Sequence, residues 1–552
     1  MPVINFATAR LNNFLPGIEI SKILEWLPYI GLDIEGVDNK TIRLEYSPNR
    51  PDFSSDYGIV RALKGLFEIE TGIPKFKLAG KSAYSVNVDM SVKTVRPFIV
   101  ALVAKEGKLD HETIKQLFAM QEDLHTGIGR RRMKASIGIH NLDVIKSPIT
   151  YKTVDEDFYF TPLGQLTNST IKQILKESDI GRHYEYTLGQ SKSYPIIIDA
   201  NRNVLSFPPI INANKTKVDT TTQNLFVEVT AKNQKTAEDI LAILSITLYD
   251  AGFEIQSVAI NNIDGVRRLD TPQLDPLHIE IERNYINKTI GLELDVNEIV
   301  NCLNKSRIDA EAINKKTISC SIPRYRTDIL HPIDIVEEVV IGYGVYNLKP
   351  TLRGSTTSGR RDSCSVYFDT IRQIMTGMGF LEVINYSLVA RKVQYELVGI
   401  EKPKKALSVE GTKSIEHEIL KDSLIPAFMQ LLSRNVHEEY PQKIFELGKI
   451  FLPLDNDIKE VWSIAALVAH NDANYTEAKS IMQTLLKMTF AKTATTKSST
   501  SPIFIDGRCA DIILDKKPVG IIGEITPLAI NNFHIRVPVS AFELNLSQIL
   551  PI

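Results

Sequence analysis

Four carboxylates concentrate the chemistry of this sequence. Asp328 ends the turn Ile322-Pro323-Arg324-Tyr325-Arg326-Thr327-Asp328, and Asp334, Glu337 and Glu338 follow in His331-Pro332-Ile333-Asp334-Ile335-Val336-Glu337-Glu338. Pro332 suits the first turn of a helix, and Gly342 and Gly344 end it about three turns later. Asp334 precedes Glu337 and Glu338 by three and four residues, so helical spacing crowds these groups on one flank. Ile333, Val336 and Val340 form a separate apolar stripe. Asp328 can fold back from the turn towards the acidic flank. Like charges held this close raise one another's pKa or recruit a cation. All are hard oxygen ligands, with no Cys and only His331 nearby, a donor set suited to Mg²⁺. On composition alone, an acidic helix start stabilised by its own dipole accounts for the same residues.

Two further strings carry candidate chemistry. In Asn224-Leu225-Phe226-Val227-Glu228-Val229-Thr230, strand periodicity puts Phe226, Glu228 and Thr230 on one face and Leu225, Val227 and Val229 on the other. A carboxylate between an aromatic ring and a hydroxyl can read a polar group inside an apolar pocket; the plainer alternative is a solvent-facing Glu on an edge strand. Arg130, Arg131, Arg132 and Lys134 place four cations in five residues beside Gly127 and Gly129. Such a loop either contacts phosphates or is simply solvated.

A chain of 552 residues exceeds one core and implies three or four domains. A 43% hydrophobic and 24% charged composition is that of a globular protein. A net charge of −2 argues against a histone-like nucleic-acid binder. Cys302, Cys320, Cys364 and Cys509 are widely spaced, so neither a zinc site nor a disulfide framework is expected, and a reducing cytoplasm fits. Met1 to Arg10 lacks the apolar run of a signal peptide, and no stretch approaches a membrane span.

Residues 1–80 read as a small mixed domain. Ser21 to Leu27 is a helix with Ser21 as its cap, Thr41 to Tyr46 a strand, and Tyr57 to Thr71 a helix after the turn Pro48-Asn49-Arg50-Pro51-Asp52. Residues 82–266 shift towards strands, including Arg96 to Val103 and Ala135 to Ile139. In 268–350, Asn284 to Leu292 reads as a strand, Val296 to Asn304 as a helix and Ile318 to Ile322 as a strand. The polar run Arg353 to Arg361 marks a boundary. Beyond it, 360–552 offers helices at Val366 to Gly379 and Ile425 to Asn435. Its strands fall at Phe380 to Leu388, Gln442 to Phe451, Ile521 to Ile525 and Pro538 to Leu544.

The Pro-Arg-Tyr-Arg-Thr-Asp turn with its acidic helix, and the Pro-Asn-Arg-Pro-Asp turn, closely resemble the beta subunits of phenylalanyl-tRNA synthetases. The resemblance spans essentially the whole chain. The chain is short for the extra tRNA-binding domains of bacterial members, so it looks like the archaeal and eukaryotic type. It implies an α+β multidomain fold with an N-terminal domain (1–80), an editing domain (82–266), a Mg²⁺-binding swivelling module (268–350) and a class II synthetase-like antiparallel core (360–552). It also implies Asp328, Asp334, Glu337 and Glu338 as Mg²⁺ ligands shared with an alpha subunit, in a heterotetramer of two alpha and two beta chains.

The strings Ser206-Phe207-Pro208-Pro209-Ile210-Ile211-Asn212 and Phe226 to Thr230 match the family's editing region. A pocket built for phenylalanine rejects an added hydroxyl only about a hundredfold, so a second site that hydrolyses Tyr-tRNA(Phe) restores accuracy. The resemblance makes Glu228 the reader of the hydroxyl, with Asn212 and Ser206 as pocket candidates; Arg130, Arg131, Arg132 and Lys134, from the basic loop itself, are the candidate tRNA contacts. No Ser-His-Asp or Cys-His arrangement accompanies them, leaving hydrolysis to positioned water and the tRNA. An active class II core needs an arginine after the Phe of its second-motif strand and a glycine-rich helix start with another. Here the strand reads Ile444-Phe445-Glu446-Leu447-Gly448, and neither arginine nor a phosphate loop is found. Activation of phenylalanine with ATP is therefore expected in the partner chain. A free-standing tRNA deacylase and a Mg²⁺-dependent phosphodiesterase are the alternatives. The large C-terminal core argues against the first, and the missing phosphate-binding loop against the second.

Overall fold

The computed structural model describes residues 2–38, 40–189, 191–262, 268–351, 358–400, 406–412, 414–455 and 457–550. Most of the expected boundary run, 352–357, lies outside the described residues. The chain is a mixed α/β, multidomain protein that divides into two compact units, Met1–Thr351 and Leu352–Ile552.

The first unit contains three main sheets. Strands Val3–Ala7, Thr41–Tyr46 and Leu32–Val37 form an antiparallel sheet with Thr41–Tyr46 in the middle. Ile42, Leu44 and Tyr46 alternate onto its buried face, as a two-residue period requires. The helix against it runs Asp56–Leu66, capped by Ser55, whose Oγ accepts from the Gly58 N–H. It stops short of the expected Thr71 because Glu68 turns into the left-handed region at φ 56°. Ser21 lies inside the helix Ile20–Trp26 rather than capping it; Glu19 occupies that position.

A ten-stranded mixed sheet follows, with strands Phe98–Lys105, Leu225–Ala231 and Ala135–Asn141 adjacent at one end. Helices His111–Thr126 and Gln234–Asp250 cover one face, where Leu117, Met120 and Ile240 meet Val100, Val227 and Val229. The other face buries Ala101, Val103, Tyr151 and Phe226. Leu225–Ala231 is thus buried on both faces and paired on both edges, which excludes a solvent-facing edge position for Glu228.

The third sheet orders Leu277–Glu282, Thr317–Ile322 and Asp309–Ala312, packed on helices Arg283–Ile290, Val296–Lys305 and Pro332–Tyr343. Residues 283–290 are helical, not the strand their pattern suggests. Gly291 closes the turn at φ 80°, and Asn287 brackets Leu294 through both backbone groups. Ile333 leaves the apolar stripe and is exposed, while Val336 is buried.

In the second unit a seven-stranded sheet is antiparallel except where Leu381–Glu382 runs parallel to Gln442–Pro453. Along Ile458–Ala469, Ile464, Ala466 and Val468 face helices Ser363–Gly377 and Tyr475–Phe490. Ala465, Leu467 and Ala469 face helix Ile425–Arg434. The expected strand over 380–388 survives only as Leu381–Glu382 and Leu388–Val389. Between them Ile384 and Tyr386 are exposed, and Asn385 is drawn off to bond Glu446.

Candidate functional site

Strand Leu225–Ala231 places Glu228 between Ala101 and Gly138 of its neighbours, 2% exposed. Such a carboxylate is tolerated only with hydrogen-bonding partners. Ser206, delivered by strand Val204–Phe207, donates its Oγ–H to Glu228 Oε1 at 3.1 Å. Among the described residues Glu228 Oε2 has no partner, and neither has His140 Nε2, which lies 3.9 Å from Oε1. His140 is fixed from its other nitrogen by Thr216 Oγ1 at 2.9 Å. Behind Glu228, Thr230 Oγ1 receives the Nε–H of Arg96, whose fully buried guanidinium is pushed down to about 10 by desolvation. That places a buried guanidinium within electrostatic reach of the Glu228 carboxyl group.

In front of Glu228 opens a cavity of about 260 Å³. Ser206, Asn212 and Glu228 all line it, together with Glu122, His125 and Arg132, against apolar walls from the Phe207–Ile211 segment. The three candidates picked from sequence are therefore brought together. His125 Nε2 accepts the Ile137 N–H at 2.8 Å and its Nδ1 meets Glu122 Oε1 at 3.1 Å, while burial holds its pKa down; the ring is an orienting group, not a base. Burial pushes the Glu122 carboxyl up, but the His125 hydrogen bond and the Arg132 guanidinium outweigh it and bring it to about 2. Glu122, His125 and Arg132 were not legible as pocket residues, nor Arg96 and His140 as groups near Glu228. Helix periodicity on His111–Thr126 was the one available signal, and it points only to a core face.

The basic loop divides. Arg130 and Arg131 are exposed and Lys134 is half-buried, with no side-chain partner for any of them among the described residues. Arg132 is not a surface cation. It is 8% exposed, donates to Glu122 Oε1 at 2.7 Å and to the Ile210 carbonyl at 3.0 Å, and stacks over Tyr184. Three successive left-handed residues (φ 47°, 50° and 64° at Arg130, Arg131 and Arg132) turn the third side chain inward.

The four carboxylates from the acidic turn and helix are held by different partners. Among the described residues no three His, Cys, Asp or Glu side chains converge on one point. The reason is Arg326, fully buried, which donates its Nε–H and Nη2–H to Asp328 at 2.9 and 2.7 Å and reaches Glu338 with Nη2. One Asp334 oxygen accepts the Leu330 and His331 N–H groups at 2.7 Å each. Arg50 of the Pro-Asn-Arg-Pro-Asp turn bonds Asp52 and comes within 3.9 Å of Asp328, so the two family-specific turns meet. Negative charge still exceeds positive here. Burial, then Glu338, Asp328 and Asp334, push the exposed Glu337 carboxyl up, so the donor chemistry continues to suit a hard cation.

In the second unit, Glu446 occupies the strand position after Phe445. It is 2% exposed, accepts from Lys421 Nζ at 2.7 Å and from Asn385 Nδ2 at 2.7 Å. No arginine takes part.

Comparison with known proteins places these features. A family model described as the tRNA synthetase B5 domain matches residues 279–345, and one described as the phenylalanyl tRNA synthetase beta chain CLM domain matches 349–546. These matches place the chain among subunits of the aminoacyl-tRNA synthetase class. The chain is 38% identical over 549 residues to the phenylalanine–tRNA ligase beta subunit of Archaeoglobus fulgidus, covering 99% of this chain and 98% of that one. It is 34% identical to the counterpart from Methanosarcina barkeri, covering 100% and 99%. The crystal structure of an N-terminal fragment of the Pyrococcus horikoshii phenylalanyl-tRNA synthetase beta subunit aligns with TM-score 0.60 and 34% identity, over 62% of this chain and 99% of that one. The chain belongs to the phenylalanine–tRNA ligase beta-subunit family. Among the described residues, no helix is long and apolar enough to cross a membrane.

Proposed function

We propose that this chain is the non-catalytic, editing-competent partner in a cytoplasmic ligase of two alpha and two beta chains that attaches phenylalanine to tRNA(Phe) with ATP. The observation that carries the editing reading is the Ser206–Glu228 pair at the back of a cavity about the size of one aromatic side chain. A tyrosyl group entering it would approach a buried, unpaired carboxylate oxygen, Glu228 Oε2, suited to accept the phenolic O–H. A phenylalanyl group would leave that acceptor buried and unsatisfied. Glu122, charged and half-exposed, is placed to hold the amino group, with Asn212 beside it. Hydrolysis then falls to water positioned against the ester by the bound tRNA 3′ end. Residues 82–266 would be the editing domain, with Arg130, Arg131 and Lys134 as tRNA contacts.

Activation is assigned to the alpha chain. Residues 360–552 supply a class II-like platform whose Lys421–Glu446 pair stands where an ATP-gripping arginine would be required. Residues 268–350 would dock beside that partner. Magnesium there would draw on Glu337 and the free oxygen of Asp334, with further oxygens from the alpha chain, and would neutralise charge at the junction.

The test uses the assembled alpha–beta complex. Glu228→Ala should lose the preference for Tyr-tRNA(Phe) over Phe-tRNA(Phe) in deacylation while ATP–pyrophosphate exchange persists. Unchanged discrimination refutes the pocket; exchange by this chain alone refutes the assignment of activation to the partner.

A further inference from the structure

The first unit holds a second, larger cavity, about 970 Å³, at the C-terminal end of helix Gln234–Asp250. Helix Asp56–Leu66, the segment 69–79, the 249–255 turn and Arg307 wall it. Its size lies at the upper end of small-molecule sites, on the order of 300–1,000 Å³.

Its charge is lopsided. Arg61, Lys64, Arg307, Lys75 and Lys77 stand against three carboxylates, Glu70, Asp250 and Glu254. Asp250 accepts both Arg61 contacts, at 2.9 and 2.5 Å, and Glu70 is shared between Lys64 and Arg307. These pairs leave specific donors over. Arg61 and Arg307 are each 4% exposed, yet Arg61 Nη1 and Arg307 Nε have no acceptor among the described residues. Lys75 and Lys77, both exposed, have no ion-pair partner among the described residues. A buried guanidinium N–H without an acceptor is unfavourable, and a defect repeated on two arginines lining one cavity is relieved by an entering anion. The walls add aromatic surface: Phe14 and Tyr57, with ring centroids 5.2 Å apart, and Tyr249, whose O–H holds the Lys75 carbonyl.

We propose that this cavity binds a small phosphate-bearing ligand. Arg61 and Arg307 take phosphate oxygens, Lys75 and Lys77 close over them, and the aromatic wall accommodates an attached ring. Phosphate suits the site better than carboxylate because its tetrahedral oxygens can serve donors converging from several walls.

The full-length chain should take up one equivalent of labelled AMP, inorganic phosphate or pyrophosphate in equilibrium dialysis at physiological ionic strength. Tighter retention of AMP than of phosphate identifies a nucleoside phosphate held partly by the rings; equal retention identifies phosphate alone. The exposed double substitution Lys75→Ala/Lys77→Ala should weaken uptake about tenfold or more without moving the melting temperature. Arg61→Lys, which keeps a cation for Asp250 but removes the spare N–H, should weaken it as well. Absence of saturable uptake, undiminished uptake by the lysine double variant, or retention of tRNA with none of the three small probes would overturn the assignment.

Discussion

Gly138 pairs directly with Glu228 across the ladder, and a Cβ on Gly138 would lie 2.3 Å from Glu228 Oε1 and 2.5 Å from His140 Nε2. The missing side chain is what gives the buried carboxylate its place. Gly138→Ala should therefore push Glu228 into the cavity, costing about 1–3 kcal/mol of stability through overpacking. Tyr-tRNA(Phe) deacylation by the assembled enzyme should fall with it. Paired melting and deacylation measurements decide: a variant with full activity would show that the carboxylate does not need its observed position.

Ser206 donates the one hydrogen bond observed on the Glu228 carboxylate. Ser206→Ala leaves a buried acceptor unpaired, and about 1–3 kcal/mol of stability should be lost. Ser206→Thr keeps the hydroxyl and should recover most of it. Chemical denaturation of the three proteins measures the difference.

Arg326 holds Asp328 and Glu338 together in a buried site. Removing it strands two carboxylates, which typically destabilises by about 3–5 kcal/mol. Arg326→Met should show that loss at neutral pH and recover part of it in acid, where the carboxylates protonate. A denaturation midpoint that did not move would place those side chains in solvent.

Glu122 gives a pH dependence whose sign is fixed. Its pKa in the folded protein is about 2, below the ordinary carboxylate value. Its contribution is thus fully present above the unfolded pKa, about 4.3, and is lost as pH falls towards 2. Glu122→Gln should lower the melting temperature at neutral pH, and the gap to the parent protein should close below that range. Thermal scans across pH test this.

Magnesium should bind the assembled alpha–beta complex more tightly than this chain alone, because Arg326 already engages Asp328 and Glu338. Calorimetric titration of both preparations separates the cases. Equal, tight binding to the isolated chain would mean that the arginine yields its carboxylates readily.

Much of the fold was legible because period and punctuation are local. Thr41–Tyr46 and Pro332–Tyr343 follow directly from alternation and from Pro332 with its closing glycines. Errors came where non-local pairing ruled. Residues 380–388 have strand composition, yet their middle finds no partner edge. The 283–290 segment is the exception: its Asn287–Leu294 bonds span only seven residues, and the strand reading there overlooked a local helix closed by Gly291.

The sequence by itself carried the family, through two turn motifs, and that resemblance pointed to Ser206, Asn212 and Glu228 as pocket candidates. Only the tertiary structure decided that Arg132 points inward, that Arg326 sits among the acidic groups, and that Arg96, Glu122 and His140 surround Glu228. The physical reason is distance along the chain. A side chain's charge state and partners depend on groups tens of residues away, whose approach is set by sheet order and helix packing rather than by spacing.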